Sequence, residues 1–253
     1  MFGQATQSTW FFDSSVHREA VCRLLYLVDS HEPFGVVYGP DGSGRTRVLS
    51  KLREELQRTG TIVLSLNLAG MDDESALWQL ASCVGSIVRS GMKRYELLSA
   101  VRDELIGRGL CGVQTVIMLD DMHRTAGDMN PLLRLLVTMN PHCQGLLTVI
   151  AASDTPLPVH TSEHAVVRVS LSVLDTAESS DFVRTLARRH SIGGSGLDES
   201  AVRAVSEAAQ GNTAGIARIC ELLRVVLEAA PETRITGDTV RAVLDELAPR
   251  SVA

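Results

Sequence analysis

The stretch GPDGSGRT, Gly39 to Thr46, carries residue types suited to holding a phosphate group. Gly42 and Gly44 let a backbone wrap closely around an anion, and the N–H groups from Gly42 to Arg47 can point into one concavity. A helix starting directly behind such a loop adds the positive end of its dipole. The pattern G-x-x-x-x-G-K-[ST] is met at Gly39, Gly44 and Thr46, whose hydroxyl suits Mg²⁺, but Arg45 stands where the pattern has lysine. Asp41, Ser43 and Arg47 complete the residues expected around a bound nucleotide. A second group lies in VIMLDD, where two carboxylates close an apolar run. Asp120 suits a Mg²⁺ ion held through water, and Asp121 follows where a carboxylate would orient an attacking water.

These groups act together only if the chain delivers them to one edge of one sheet. FGVVYG (34–39) is short, apolar and β-branched, and predicts a buried strand running into the loop. Behind the loop, residues 45–60 place Val48, Leu49, Leu52 and Leu56 on one helical face, with Gly60 as the stop. Further strands are predicted at 61–68, 114–121, 145–153 and 165–171, and helices at 74–89, 93–108 and 131–140. The second of these helices is read as ending near Gly107 and Gly109. An entry helix over 15–29 has Asp13 or Ser14 as its cap. Strands that are apolar throughout and alternate with helices imply a parallel sheet covered on both faces. After Leu174 the strands stop, and 176–190, 198–210, 213–229 and 238–248 all predict helices. The expected fold is an α/β sandwich with a five-stranded parallel sheet over 1–171, followed by an all-helical lid over 172–253.

Composition bounds the rest. The 253 residues are 45% hydrophobic and 21% charged, as in a soluble globular protein. No apolar run reaches the roughly 18 residues that a membrane helix needs. The first residues show no basic segment ahead of an apolar core, so neither a signal peptide nor membrane insertion is expected, and a cytoplasmic location is. Five scattered cysteines, none spaced C-x-x-C, argue against a disulfide framework or a zinc knuckle. The formal charge of −6 predicts weak, salt-sensitive DNA binding at most.

With these motifs in hand, the chain resembles a AAA+ ATPase, and more narrowly the bacterial group that includes general-secretion A-type ATPases and regulators of DNA transposition. The resemblance begins in the entry helix, where His17, Glu19 and Ala20 match an H-x-E-A signature, and runs through GVVYGPDGSGRT and TVIMLDDMH into the helical tail. It implies ATP or ADP with Mg²⁺ as cofactors, assembly as a homo-oligomer or with a partner protein, and coupling of nucleotide state to a larger complex of secretion, pilus or transposition type. It also implies a polar sensor at Ser153, beside Asp154, and an arginine finger at Arg168, for which an edge-strand surface charge is the alternative. Three positions depart from the pattern. Arg45 replaces lysine, Asp121 replaces glutamate, and Gly211-Asn212-Thr213-Ala214 lacks the arginine of a G-x-P-R motif. All three touch phosphate or the attacking water in the family, so hydrolysis is expected to be slow. The alternative is a non-catalytic nucleotide-binding module that acts as a structural element or switch.

Smaller signals carry less. His160 and His164 are four apart, but Pro156 and Pro158 make the segment a loop, and no third zinc ligand is evident. Trp10, Phe11 and Phe12 suit either stacking on an adenine or packing in the core.

Overall fold

In a computed structural model that describes residues 10–157, 164–192, 197–230 and 234–247, the chain divides into two compact units. The first comprises Met1–Pro40 and Arg45–Leu171; the second comprises Asp41–Gly44 and Ser172–Ala253. His160 lies outside the described residues.

The first unit is built on β1 (Phe34–Tyr38), β2 (Ile62–Asn67), β3 (Thr115–Asp120), β4 (Leu147–Ser153) and β5 (Val167–Ser170). All pairings are parallel, in the order β2-β3-β4-β1-β5. β3 and β4 are buried along their whole length, because both of their faces are covered. Alternate residues sort into two cores. Val36, Ile117, Leu119, Val149 and Ala151 join one with α3 (Asp73–Cys83), α4 (Arg94–Leu110) and α5 (Asn130–Thr138). Val37, Val116, Met118, Ile150 and Ala152 join the other with α1 (Ser15–Asp29) and α2 (Arg45–Arg58). The period of two that is invisible in the hydropathy of each strand reappears as this division.

Ser14 caps α1: its hydroxyl accepts from the His17 N–H at 3.3 Å and meets the ring Nδ1 at 2.7 Å. His17, only 4% exposed, therefore fixes the first turn of the entry helix. The Phe11 ring stands edge-on to it, 6.0 Å between centroids.

One helix ends elsewhere than its sequence predicts. α3 stops at Cys83, because Gly85 turns the backbone left-handed (φ 85°), whereas the sequence predicts a helix as far as 89. α4 ends at Leu110, beside Gly109 as its sequence predicts, with Leu97, Val101, Leu105 and Gly109 as its buried stripe. Gly109 is there for close approach. A Cβ on it would lie 2.5 Å from the Cys143 carbonyl oxygen, in the short 3-10 turn Asn140–Cys143.

The second unit has no strand among the described residues. α6 (Thr176–Arg189), α7 (Glu199–Ala209), α8 (Thr213–Ala229) and α9 (Gly237–Leu247) follow one another. Side chains of Asp175, Asp198 and Asn212 cap the first three, accepting from Glu178, Ser200 and Gly215 N–H groups. Phe182, Val183, Val202, Val205, Ile216, Cys220 and Leu223 are buried in it. No helix among the described residues is long and apolar enough to cross a membrane.

The two α4 glycines give a paired test. Gly109→Ala forces the Cys143 backbone aside, and overpacking of about 1–3 kcal/mol outweighs the roughly 1 kcal/mol gained in helix propensity. Gly107→Ala meets nothing within 4 Å and should stabilise by about 0.5–1 kcal/mol. Denaturant midpoints should therefore move in opposite directions.

Candidate functional site

The parallel sheet brings the carboxyl ends of β1, β3 and β4 side by side, which is where an α/β fold collects its ligand-facing groups. β1 ends at Tyr38, and the Gly39 N–H donates to the Ser153 carbonyl at 3.3 Å, tying the start of the loop to the end of β4. The loop then turns through Gly42 (φ 78°) and Gly44 (φ 97°) before α2 begins at Arg45. Both glycines occupy the left-handed region, where a Cβ is costly.

Thr46 and Asp120 meet directly. The Thr46 Oγ1 hydroxyl donates to Asp120 Oδ2 at 2.7 Å, 74 residues away in the chain. Asp120 is 8% exposed, and burial together with the neighbouring Asp121 charge pushes its carboxyl above the ordinary carboxylate range, against the pull of the Thr46 hydroxyl. A buried carboxylate resisted in this way, with a hydroxyl beside it, is a donor set that a hard dication fits.

Arg45 does not extend along α2. Its guanidinium is 6% exposed, donates to the Gly39 carbonyl, and lies 3.8 Å from Asp121 Oδ1. Asp121 is in the left-handed conformation (φ 55°, ψ 40°), and its N–H donates to Asp120 Oδ1 at 2.9 Å. Its other oxygen, Oδ2, accepts from Asn67 Nδ2 at 2.8 Å. One aspartate is thus shared by a cation from the loop and an amide from β2.

Asn67 was not singled out from sequence. Its signal is register: it is the last residue of β2 and pairs with Asp120, the last of β3. His123 was missed too. The Asp154 N–H donates to His123 Nδ1 at 3.2 Å, which makes that nitrogen the acceptor and leaves the ring proton of the neutral form on Nε2. The ring joins the turn after β3 (Met122–Arg124) to the segment after β4.

The structure gathers Gly39, Arg45, Thr46, Asp120, Asp121 and Ser153 at these strand ends. Ser153 is 1% exposed, and its hydroxyl accepts from the Thr155 N–H at 3.3 Å. Asp41, Gly42, Ser43 and Gly44 belong to the second unit, and Arg47 is exposed on α2. Arg168 is set apart on the edge strand β5, where it lines a surface groove with Glu19, Arg23 and Tyr26.

Residues 28–157 match the sequence model of a family described as AAA domain. No curated protein sequence matches the chain. Among solved structures, it is similar to Cdc6p from Pyrobaculum aerophilum, at 17% identity and a TM-score of 0.72, covering 94% of this chain and 69% of that one. The RuvB Holliday junction branch migration motor of Thermotoga maritima gives 15% identity and a TM-score of 0.63, covering 92% and 68%. Drosophila ORC, in a structure bound to DNA, gives 18% and 0.68, covering 91% of this chain and 60% of that one.

The environment of Asp120 predicts a pH signature in metal-free protein. Its folded-state pKa is raised, so the cost of ionising it appears as pH climbs through the ordinary carboxylate range and is full above the raised value. Asp120→Asn should therefore raise the metal-free unfolding temperature at pH 7, and the gain should shrink to nothing as pH falls below that range. Thermal unfolding in chelator across pH checks it.

Proposed function

Because the chain belongs to the AAA family, a group of P-loop ATPases, we propose that it binds ATP or ADP with Mg²⁺ and hydrolyses ATP slowly. The observation that carries this reading is the position of Arg45, which faces the Gly39 carbonyl and Asp121. Arginine keeps the positive charge that draws phosphate, but its planar fork prefers two flat acceptors, whereas lysine is a compact point charge. Here the fork is shared with the carboxylate that would orient water, and Asn67 holds that carboxylate's other oxygen. Both groups must leave these partners to act on a γ-phosphate. Ground-state binding depends more on backbone N–H groups and tolerates this; transition-state stabilisation depends on donors already in place and suffers.

In this reading Gly39, Asp41, Gly42, Ser43, Gly44, Arg45, Thr46 and Arg47 line the phosphates. Thr46 and Asp120 would hold Mg²⁺, which supplies charge neutralisation to the phosphate oxygens when bound. Asp121 positions water, Ser153 senses the reacting end, and Arg168, exposed on an edge strand, is offered to a neighbouring subunit. The nucleotide state is coupled to assembly of a larger complex, of secretion, pilus or transposition type. The likeness to ORC bound to DNA and to a branch migration motor supports a complex that includes DNA, with the weak affinity that a charge of −6 allows. The tie between Arg45 and Asp121 equally favours a second reading, a switch that binds nucleotide without turning it over.

Calorimetry and phosphate release separate the two. Thr46→Ala and Asp120→Ala should each weaken Mg-ATP binding far more than binding of metal-free ADP, and Arg45→Ala should abolish binding; equal affinities throughout would remove the site. Wild-type turnover should be slow, with Arg45→Lys raising it modestly and Arg45→Lys with Asp121→Glu raising it further. Brisk wild-type hydrolysis unchanged by Arg45→Lys would overturn the reading.

A further inference from the structure

The second unit contains a contact that neither the loop pattern nor the missing lid arginine foretells. Asn212 Nδ2 donates to the Asp41 carbonyl at 2.6 Å. Thr213 Oγ1 donates to the Gly42 carbonyl at 2.5 Å, and the Ala214 N–H reaches the same oxygen at 3.2 Å. The cap and first turn of α8 thus hold two successive carbonyls of the loop tip. The Asn212 amide also fills the space that a side chain at Gly42 would occupy, since a Cβ there would lie 2.2 Å from Asn212 Oδ1.

A peptide unit is planar and trans, so its C=O and N–H point in opposite directions. Holding the Asp41 carbonyl fixes the direction of the Gly42 N–H, and holding the Gly42 carbonyl fixes that of the Ser43 N–H. These are two of the donors that a phosphate loop offers to an anion. We infer that Asn212 and Thr213 are positioning residues, which orient the Gly42 and Ser43 N–H groups for phosphate by gripping the loop from its carbonyl side. The inference rests on the nucleotide-binding reading above. The helix that lacks a phosphate-sensing arginine at Ala214 serves the loop through hydrogen bonds to its backbone instead.

Asn212 also caps α8, its Oδ1 accepting from the Gly215 N–H at 2.9 Å, and the test must separate the two roles. Asn212→Asp keeps a capping oxygen but replaces the donor to Asp41 with an acceptor. Thr213→Val removes the hydroxyl at nearly constant shape, and Thr213→Ser restores it. Calorimetry with metal-free ADP and with Mg-ATP should show tenfold or greater weakening by Asn212→Asp and by Thr213→Val, equally for both nucleotides, because the loop backbone cradles the phosphates that ADP and ATP share. Thr213→Ser should bind like wild type. A second readout needs no nucleotide: Gly42→Ala should lower the unfolding temperature by less in an Asn212→Ala background than in wild type. Wild-type ADP affinity in Asn212→Asp and Thr213→Val, or strictly additive losses in the double variant, would overturn the inference. A wild-type chain that binds neither nucleotide would overturn the underlying reading and this inference with it.

Discussion

Charge has almost nowhere to go in a sheet covered on both faces. A carboxylate in the middle of β3 would be stripped of water by a core on either side, at a cost far beyond what one contact returns. At the strand's end the cores fall away, and there the sequence switches from Val116–Leu119 to Asp120 and Asp121. Even there Asp120 is held above its ordinary titration range, and the Thr46 hydroxyl offsets part of the cost. The burial that makes the sheet stable thus confines its polar groups to one edge, where β1 also ends.

The groups at this edge form a connected chain of hydrogen bonds and ion pairs. Thr46 serves Asp120, Asp120 accepts from the Asp121 N–H, and Asp121 is held between Arg45 and Asn67. The Arg45–Asp121 separation of 3.8 Å is loose for an ion pair, so its contribution is electrostatic neutralisation in a poorly hydrated corner rather than a well-formed bidentate bond.

How much of this was legible in the sequence depended on the range of each signal. The glycine loop, the strand before it and the helix behind it lie within one contiguous stretch, so local pattern sufficed. Uniformly apolar strands alternating with helices were enough to predict a parallel sheet. Asn67 was not legible, because its partner lies 54 residues away and the contact exists only in one strand register. The same holds for His123, whose partner Asp154 comes just after the next strand in the sheet. The end of α3 was misread for want of backbone geometry. Gly85 takes the left-handed conformation that ends α3, while the closeness of Gly109 to the Cys143 backbone is a tertiary contact that no local pattern announces.

The backbone at Asp121 bears on how such a site can change over time. At φ 55° and ψ 40° the residue is left-handed, a region that aspartate and asparagine visit several times more readily than longer side chains. A glutamate at that position gains a methylene of reach and gives up part of this conformational match, at a cost on the order of 1 kcal/mol. Reach and backbone fit are therefore opposed at one residue. A lineage that once relaxes its need for turnover meets a local slope toward the shorter acid, and a return to the longer one has to climb it.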